Sequence, residues 1–257
     1  MRNHVIANLV IVLGLLILFS PRIRRGDFHG PDITANHDMT KPLRDYHART
    51  GEIPQWSPYL FSGMPSYGSM MYPPTLRIDG FLNRIKNEGI RFWVILSSSG
   101  IALYCFLVRQ KLGVIPCMIG VAVFLYTPYT VGLMQAGHNN KIWATAYIPV
   151  ILLCLDYLWK ERSLLALAFT CLAFGGQIGT NHPQVVYYTY MLVFVWYISR
   201  FIARRSLPGI FKEGGLTLAA IVIGILFNAQ LYLSVWEYQK YSARGAPSVL
   251  TGKDYNE

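Results

Sequence analysis

Seven apolar runs govern what this chain can become. They occupy residues 5–19, 92–108, 113–134, 142–159, 164–178, 185–203 and 216–235. Each approaches the ~20 residues that a helix needs to cross a ~30 Å hydrocarbon core. Within a bilayer only helices and closed barrels satisfy their own backbone groups. The runs therefore predict an all-α polytopic membrane protein with about seven transmembrane helices. A content of 53% hydrophobic and 14% charged residues fits that class better than a soluble enzyme. The first run lacks a small-residue cleavage site and is followed by Pro21, Arg22, Arg24 and Arg25. It is read as an uncleaved first helix rather than a signal peptide.

Basic residues set the expected orientation. With the N-terminus in the cytoplasm, the short inner loops hold Arg109, Lys111, Lys160, Arg162, Arg200, Arg204, Arg205 and Lys212, and the short outer loops hold only Lys141. That asymmetry follows the positive-inside rule. Arg22, Arg24 and Arg25 run against it, but a long loop translocates despite such charges. The net charge of +10 is read as topology signal and attraction to anionic headgroups, not as a nucleic-acid footprint. The four cysteines all fall inside apolar runs, without metal-site spacing, and read as small packing residues.

Four parts follow: a first transmembrane helix (1–20), a long extracytoplasmic loop (21–91), a six-helix bundle (92–235) and an extracytoplasmic tail (236–257). The long loop is too large for a plain connector. It is rich in Pro, Gly, Tyr and Met, and residues 40–50 and 76–89 are expected to form short interfacial helices. Gln177, Asn228 and Gln230 lie in the outer halves of their runs and are expected to line an outward-opening cavity. Asp156, near the inner end of its run, reads as an interfacial residue beside Lys160.

The outer segments hold the residues with chemical potential. Residues 26–38 bring Asp27, Asp32 and Asp38 together with His29 and His37, and His47 follows. A carboxylate there suits a general base or a divalent cation such as Mg²⁺ or Mn²⁺, and it equally suits turn and helix capping. No spacing favours a dedicated zinc site. The hairpin 135–143 is denser in polar groups than a turn requires, with His138, Asn139, Asn140 and Lys141. Lys141 suits a phosphate and the amides suit hydroxyls. In the 180–184 turn, capping explains Asn181 but not His182 and Gln184 together. Beyond the last run, Glu237, Lys240 and Arg244 stand at helical spacing, either as an ion-paired face or with Arg244 gripping an anion. Arg24 and Arg25 form a further basic patch after the first helix.

Taken in order, seven short motifs carry a resemblance. They are Pro-Asp-Ile-Thr (31–34), Thr-Gly-Glu-Ile-Pro-Gln-Trp (50–56), Phe-Ser-Gly-Met-Pro-Ser-Tyr (61–67), Ala-Gly-His-Asn-Asn-Lys (136–141), Ala-Tyr-Ile-Pro (146–149), Asn-His-Pro-Gln (181–184) and Glu-Tyr-x-Lys-Tyr-x-x-Arg-Gly (237–245). The series resembles the YfhO-type membrane proteins, in the version found in the Bacteroidetes lineage. The resemblance implies a GT-C-class integral-membrane glycosyltransferase, which moves a sugar from a polyprenyl-phosphate donor to an acceptor outside the bacterial cytoplasmic (inner) membrane. Such enzymes place an acidic residue soon after the first helix. Asp32 holds that place, while Asp38 stands where the family pattern has a Gly; these two are the candidate catalytic residues. Arg24, Arg25, His138, Asn139, Lys141, Asn181, His182, Gln184 and Arg244 are the candidate substrate-binding residues. Partners implied are the lipid bilayer, the polyprenyl-linked sugar and an envelope glycan acceptor. Family members are longer, so the chain is expected to match their N-terminal part. A transporter or flippase of lipid-linked sugars, and a non-catalytic scaffold or truncated remnant of a longer protein, are the alternatives; the plain inner face disfavours transport.

Overall fold

The computed structural model describes residues 2–26, 30–59, 63–66, 82–204 and 207–241. The described residues are all-α apart from one two-residue strand pair. It divides into two units, Met1–His37 with Leu76–Phe227, and Asp38–Thr75 with Asn228–Glu257.

The first unit is a helical bundle. It contains α1 (Arg2–Arg25), the start of α2 (Pro31–Thr50), α3 (Glu88–Arg109), α4 (Val114–Leu125), α5 (Pro128–Ala136), α6 (Asn139–Glu161), α7 (Leu164–Gly179), α8 (Pro183–Arg204) and α9 (Leu207–Leu226). Six spans among the described residues are long and apolar enough to cross a membrane: Arg2–Arg25, Glu88–Arg109, Val114–Ala136, Asn139–Glu161, Pro183–Ala203 and Gly209–Leu226. The seventh expected crossing is α7, which is apolar but has only 16 residues. At 1.5 Å per residue it reaches about 24 Å, short of the hydrocarbon thickness. The bundle exposes large apolar side chains such as Ile17, Ile115, Leu164 and Ile202. In water such a surface would aggregate, whereas hydrocarbon accommodates it.

Two expected boundaries move. The span Val114–Ala136 is two helices, because Pro128 occupies the first turn of α5 and the residue before a proline avoids helical geometry. Thr127 then caps α5, its side chain accepting from the Thr130 amide at 3.3 Å. The run at 216–235 is likewise split. α9 begins earlier, at Leu207, and ends at Leu226; α10 (Ala229–Gln239) belongs to the second unit. Lys212 and Glu213 depress the hydropathy at the start of α9, which hid that turn. Glu213 is nevertheless buried, 3.4 Å from Arg200 of α8.

α1 and α3 pack antiparallel along their length. His4 Nδ1 and Tyr104 Oη lie 2.8 Å apart, Trp93 Nε1 donates to the Val12 carbonyl at 3.0 Å, and Asn87 Nδ2 donates to the Ile23 carbonyl at 2.7 Å. α6 runs between two hydrophobic clusters. One gathers Leu15, Phe19, Phe92, Val121 and Ile142; the other gathers Ile151, Leu155, Trp159, Phe174 and Ala220. At one end of the bundle, buried Asp156 accepts from Arg109 (2.5 Å), Lys160 (2.8 Å) and Gln110 (3.1 Å). Asp156 thus ties α3 to α6, a larger role than an interfacial neighbour of Lys160.

The second unit contains most of α2, the antiparallel pair β1 (Trp56–Ser57) and β2 (Met64–Pro65), and α10. Trp56 pairs with Pro65 and Ser57 with Met64. The expected interfacial helix at 40–50 is the latter part of the longer α2. At 76–89 the described part has one 3-10 turn, Leu82–Arg84, and the start of α3.

Candidate functional site

The α1–α2 junction, the α5–α6 turn and the α7–α8 turn meet at the opposite end of the bundle from Asp156. Glycine makes the first meeting possible. Gly137 ends α5 in the left-handed region (φ 92°), where a side chain is strained. Gly30, just before α2, lies so close that a Cβ on it would come within 2.7 Å of the Gly137 Cα and N. This backbone-to-backbone approach brings the first turn of α2 to the start of α6. Asp32 Oδ2 lies 3.4 Å from His138 Nε2, with both side chains about half exposed. Asp32 also sits in the first turn of α2, where the helix dipole favours an anion.

The α7–α8 turn reaches the same place. Asn181 adopts φ 54°, a conformation that Asn tolerates better than most residues, and Pro183 opens α8. His182 is partly buried between them. Burial pushes its pKa below the ordinary histidine value, and the charges of Lys141 and His138 act through space in the same direction. His182 Nδ1 is buried without a hydrogen-bond partner among the described residues. Lys141 stands 5.3 Å from the Tyr129 ring centroid, within cation–π range. Asp32, His138, Lys141 and His182, from three separate segments, thus share one polar neighbourhood.

A cavity of about 150 Å³ opens beside it. Its lining comprises Glu88, Arg91, Phe92, Asn139, Asn140, Trp143 and Thr180. Arg91 donates to Glu88 at 2.8 Å. Asn87 starts α3 here, its side chain accepting from the Ile90 amide at 3.0 Å. The Oδ1 of Asn139 is buried without a partner among the described residues. Sequence reasoning missed Glu88 and Arg91, because they fell at the border between loop and span. A basic residue at the end of an apolar run was the available signal.

Other expected site residues lie elsewhere. Arg24 and Arg25 are exposed in the last turn of α1. Gln184 is exposed and donates to Tyr188 Oη at 3.0 Å, a contact within α8. Asp38 is exposed and belongs to the second unit. Asp27, His29 and Arg244 lie outside the described residues. Gln177 does not line the cavity. It is fully buried and donates to the Ala144 carbonyl (2.9 Å) and to Thr189 Oγ1 (2.7 Å), clasping α6, α7 and α8. Asn228 and Gln230 belong to the second unit. Among the described residues no three His, Cys, Asp or Glu side chains gather as metal ligands. The chain matches no family model, no curated protein and no solved structure.

Proposed function

We propose that this chain belongs to a GT-C-type glycosyltransferase of the bacterial cytoplasmic membrane, akin to the YfhO-type proteins. It moves a sugar from a polyprenyl-phosphate donor to an extracytoplasmic envelope acceptor. The observation that carries the reading is the convergence of Asp32, His138, Lys141 and His182 beside a polar cavity at one end of an apolar bundle. A lipid-linked sugar presents its phosphate at the headgroup plane. Such a substrate needs a cation there, a carboxylate within reach of the sugar, and an apolar wall for the prenyl chain. Lys141 supplies the cation and the bundle's outer surface the wall.

Asp32 acts as general base in an inverting displacement. The acceptor hydroxyl oxygen bonds to the anomeric carbon, its proton passes to Asp32, and polyprenyl phosphate leaves with the electron pair of the broken C–O bond. His138, at 3.4 Å, orients the carboxylate. The proposed topology has seven crossings, including the short α7, with the N-terminus in the cytoplasm and the Asp32 end outside. Membranes containing the protein, given polyprenyl-phosphate donors with radiolabelled sugars and envelope extract, test the reading. Label entering the extract supports it. No transfer across the donor series sets it aside in favour of transport or a scaffold role.

A further inference from the structure

The cavity beside the Asp32–His138 pair has a chemistry of its own. The two charged side chains of its described lining, Glu88 and Arg91, neutralise each other at 2.8 Å and are both mostly covered. The remaining polar lining consists of the neutral groups Asn139, Asn140 and Thr180. One wall is aromatic, with Phe92 and Trp143 largely buried and their rings edge-to-face at 6.4 Å between centroids. Asn139 Oδ1 is a buried acceptor that no donor among the described residues satisfies, and a buried orphan acceptor is costly until a donor reaches it. The volume of about 150 Å³ matches what a six-membered ring requires, since an engineered cavity of roughly that size takes up benzene.

We infer that this cavity holds a neutral, hydroxyl-bearing ring, and that the phosphate-bearing part of the substrate stays outside it, at Lys141. Amides, a carboxylate–guanidinium pair and an aromatic wall match the hydroxyls and C–H faces of a pyranose. A phosphate entering here would have to compete with Glu88 for Arg91, with no further cation among the described residues of the lining. That the ring is a glycosyl group rests on the transferase reading.

Saturation-transfer NMR on the detergent-solubilised protein tests this. The probes are methyl hexosides, methyl N-acetylhexosaminides and methyl 6-deoxyhexosides. At least one should receive saturation at its ring protons. Asn139→Leu, which removes the orphan acceptor and fills space, should weaken it by about tenfold, the equivalent of one or two hydrogen bonds. Asn140→Ala changes an exposed residue, serves if the first variant misfolds, and should also weaken binding. Inorganic phosphate should not displace the glycoside. Displacement by a short-chain prenyl-phosphoryl sugar assigns the ring to the donor, and displacement only by an envelope oligosaccharide assigns it to the acceptor; both support the inference. It is overturned if no glycoside binds, if binding survives both variants, or if phosphate displaces it. Glycoside binding without sugar transfer leaves the cavity assignment standing and removes the transferase. Transfer without glycoside binding does the reverse.

Discussion

His182 shows how a residue's neighbours decide its chemistry. An ordinary histidine is half-charged near the value of 6.5, whereas burial and the nearby Lys141 and His138 hold this one neutral further into acid. The sign of the stability effect follows. Above the ordinary value His182 is neutral whether the chain is folded or not, so its share of stability is fully present. As pH falls past that value the unfolded chain takes up the proton first, and stability is lost until the lower folded pKa is passed. Thermal unfolding in detergent from about pH 7.5 to about pH 5.5 should therefore show a falling midpoint that is flatter in His182→Gln. Equal slopes for the two proteins would remove the argument. His138 and His182 were legible in the sequence as candidates because two imidazoles and a lysine exceed what two turns need. Their meeting with Asp32 was not, since the three segments are joined only by the fold.

At the scale of elements, the site depends on two glycines more than on any polar residue. Gly30→Ala would drive a Cβ against the Gly137 backbone, where no flexible side chain can yield. The first turn of α2 must then retreat from α6, separating Asp32 from His138. Transfer should fall sharply with little change in the melting of the bundle, and unchanged transfer would contradict this geometry. The other end of the bundle is held by charge. Replacing buried Asp156 with Ala leaves Arg109 and Lys160 facing each other without their shared carboxylate. Losing one partner of a buried pair costs roughly 3–5 kcal/mol, and the partial exposure of both cations lowers this to about 2 kcal/mol. Thermal unfolding measures it, and an unshifted midpoint would show the cluster to be dispensable. Apolar runs revealed the spans, yet Pro128 and buried Glu213, paired with Arg200, moved boundaries. Hydropathy averages over a window, so it does not register a proline break or a buried ion pair that closes only in three dimensions.

At the scale of the whole molecule, the apolar surface and the six long apolar spans among the described residues call for a bilayer. Orientation is a separate claim, carried by the loop charges. Spheroplasts bearing Thr50→Cys or Arg162→Cys test it with a membrane-impermeant maleimide. Thr50→Cys should label in intact spheroplasts and Arg162→Cys only after permeabilisation, while the reverse pattern would invert the topology. The four native cysteines lie within helices of the bundle, so they add little background.

The most direct test of the account is a comparison of the wild-type protein with Asp32→Asn in the labelled-sugar transfer assay. Asn keeps the shape and the helix start but cannot accept the acceptor's proton. General-base catalysis contributes ~10²–10⁴-fold, so transfer should drop by at least about a hundredfold while glycoside binding and thermal stability persist. Full transfer by Asp32→Asn would contradict the central claim that this carboxylate, brought to His138 by the Gly30–Gly137 contact, carries the reaction.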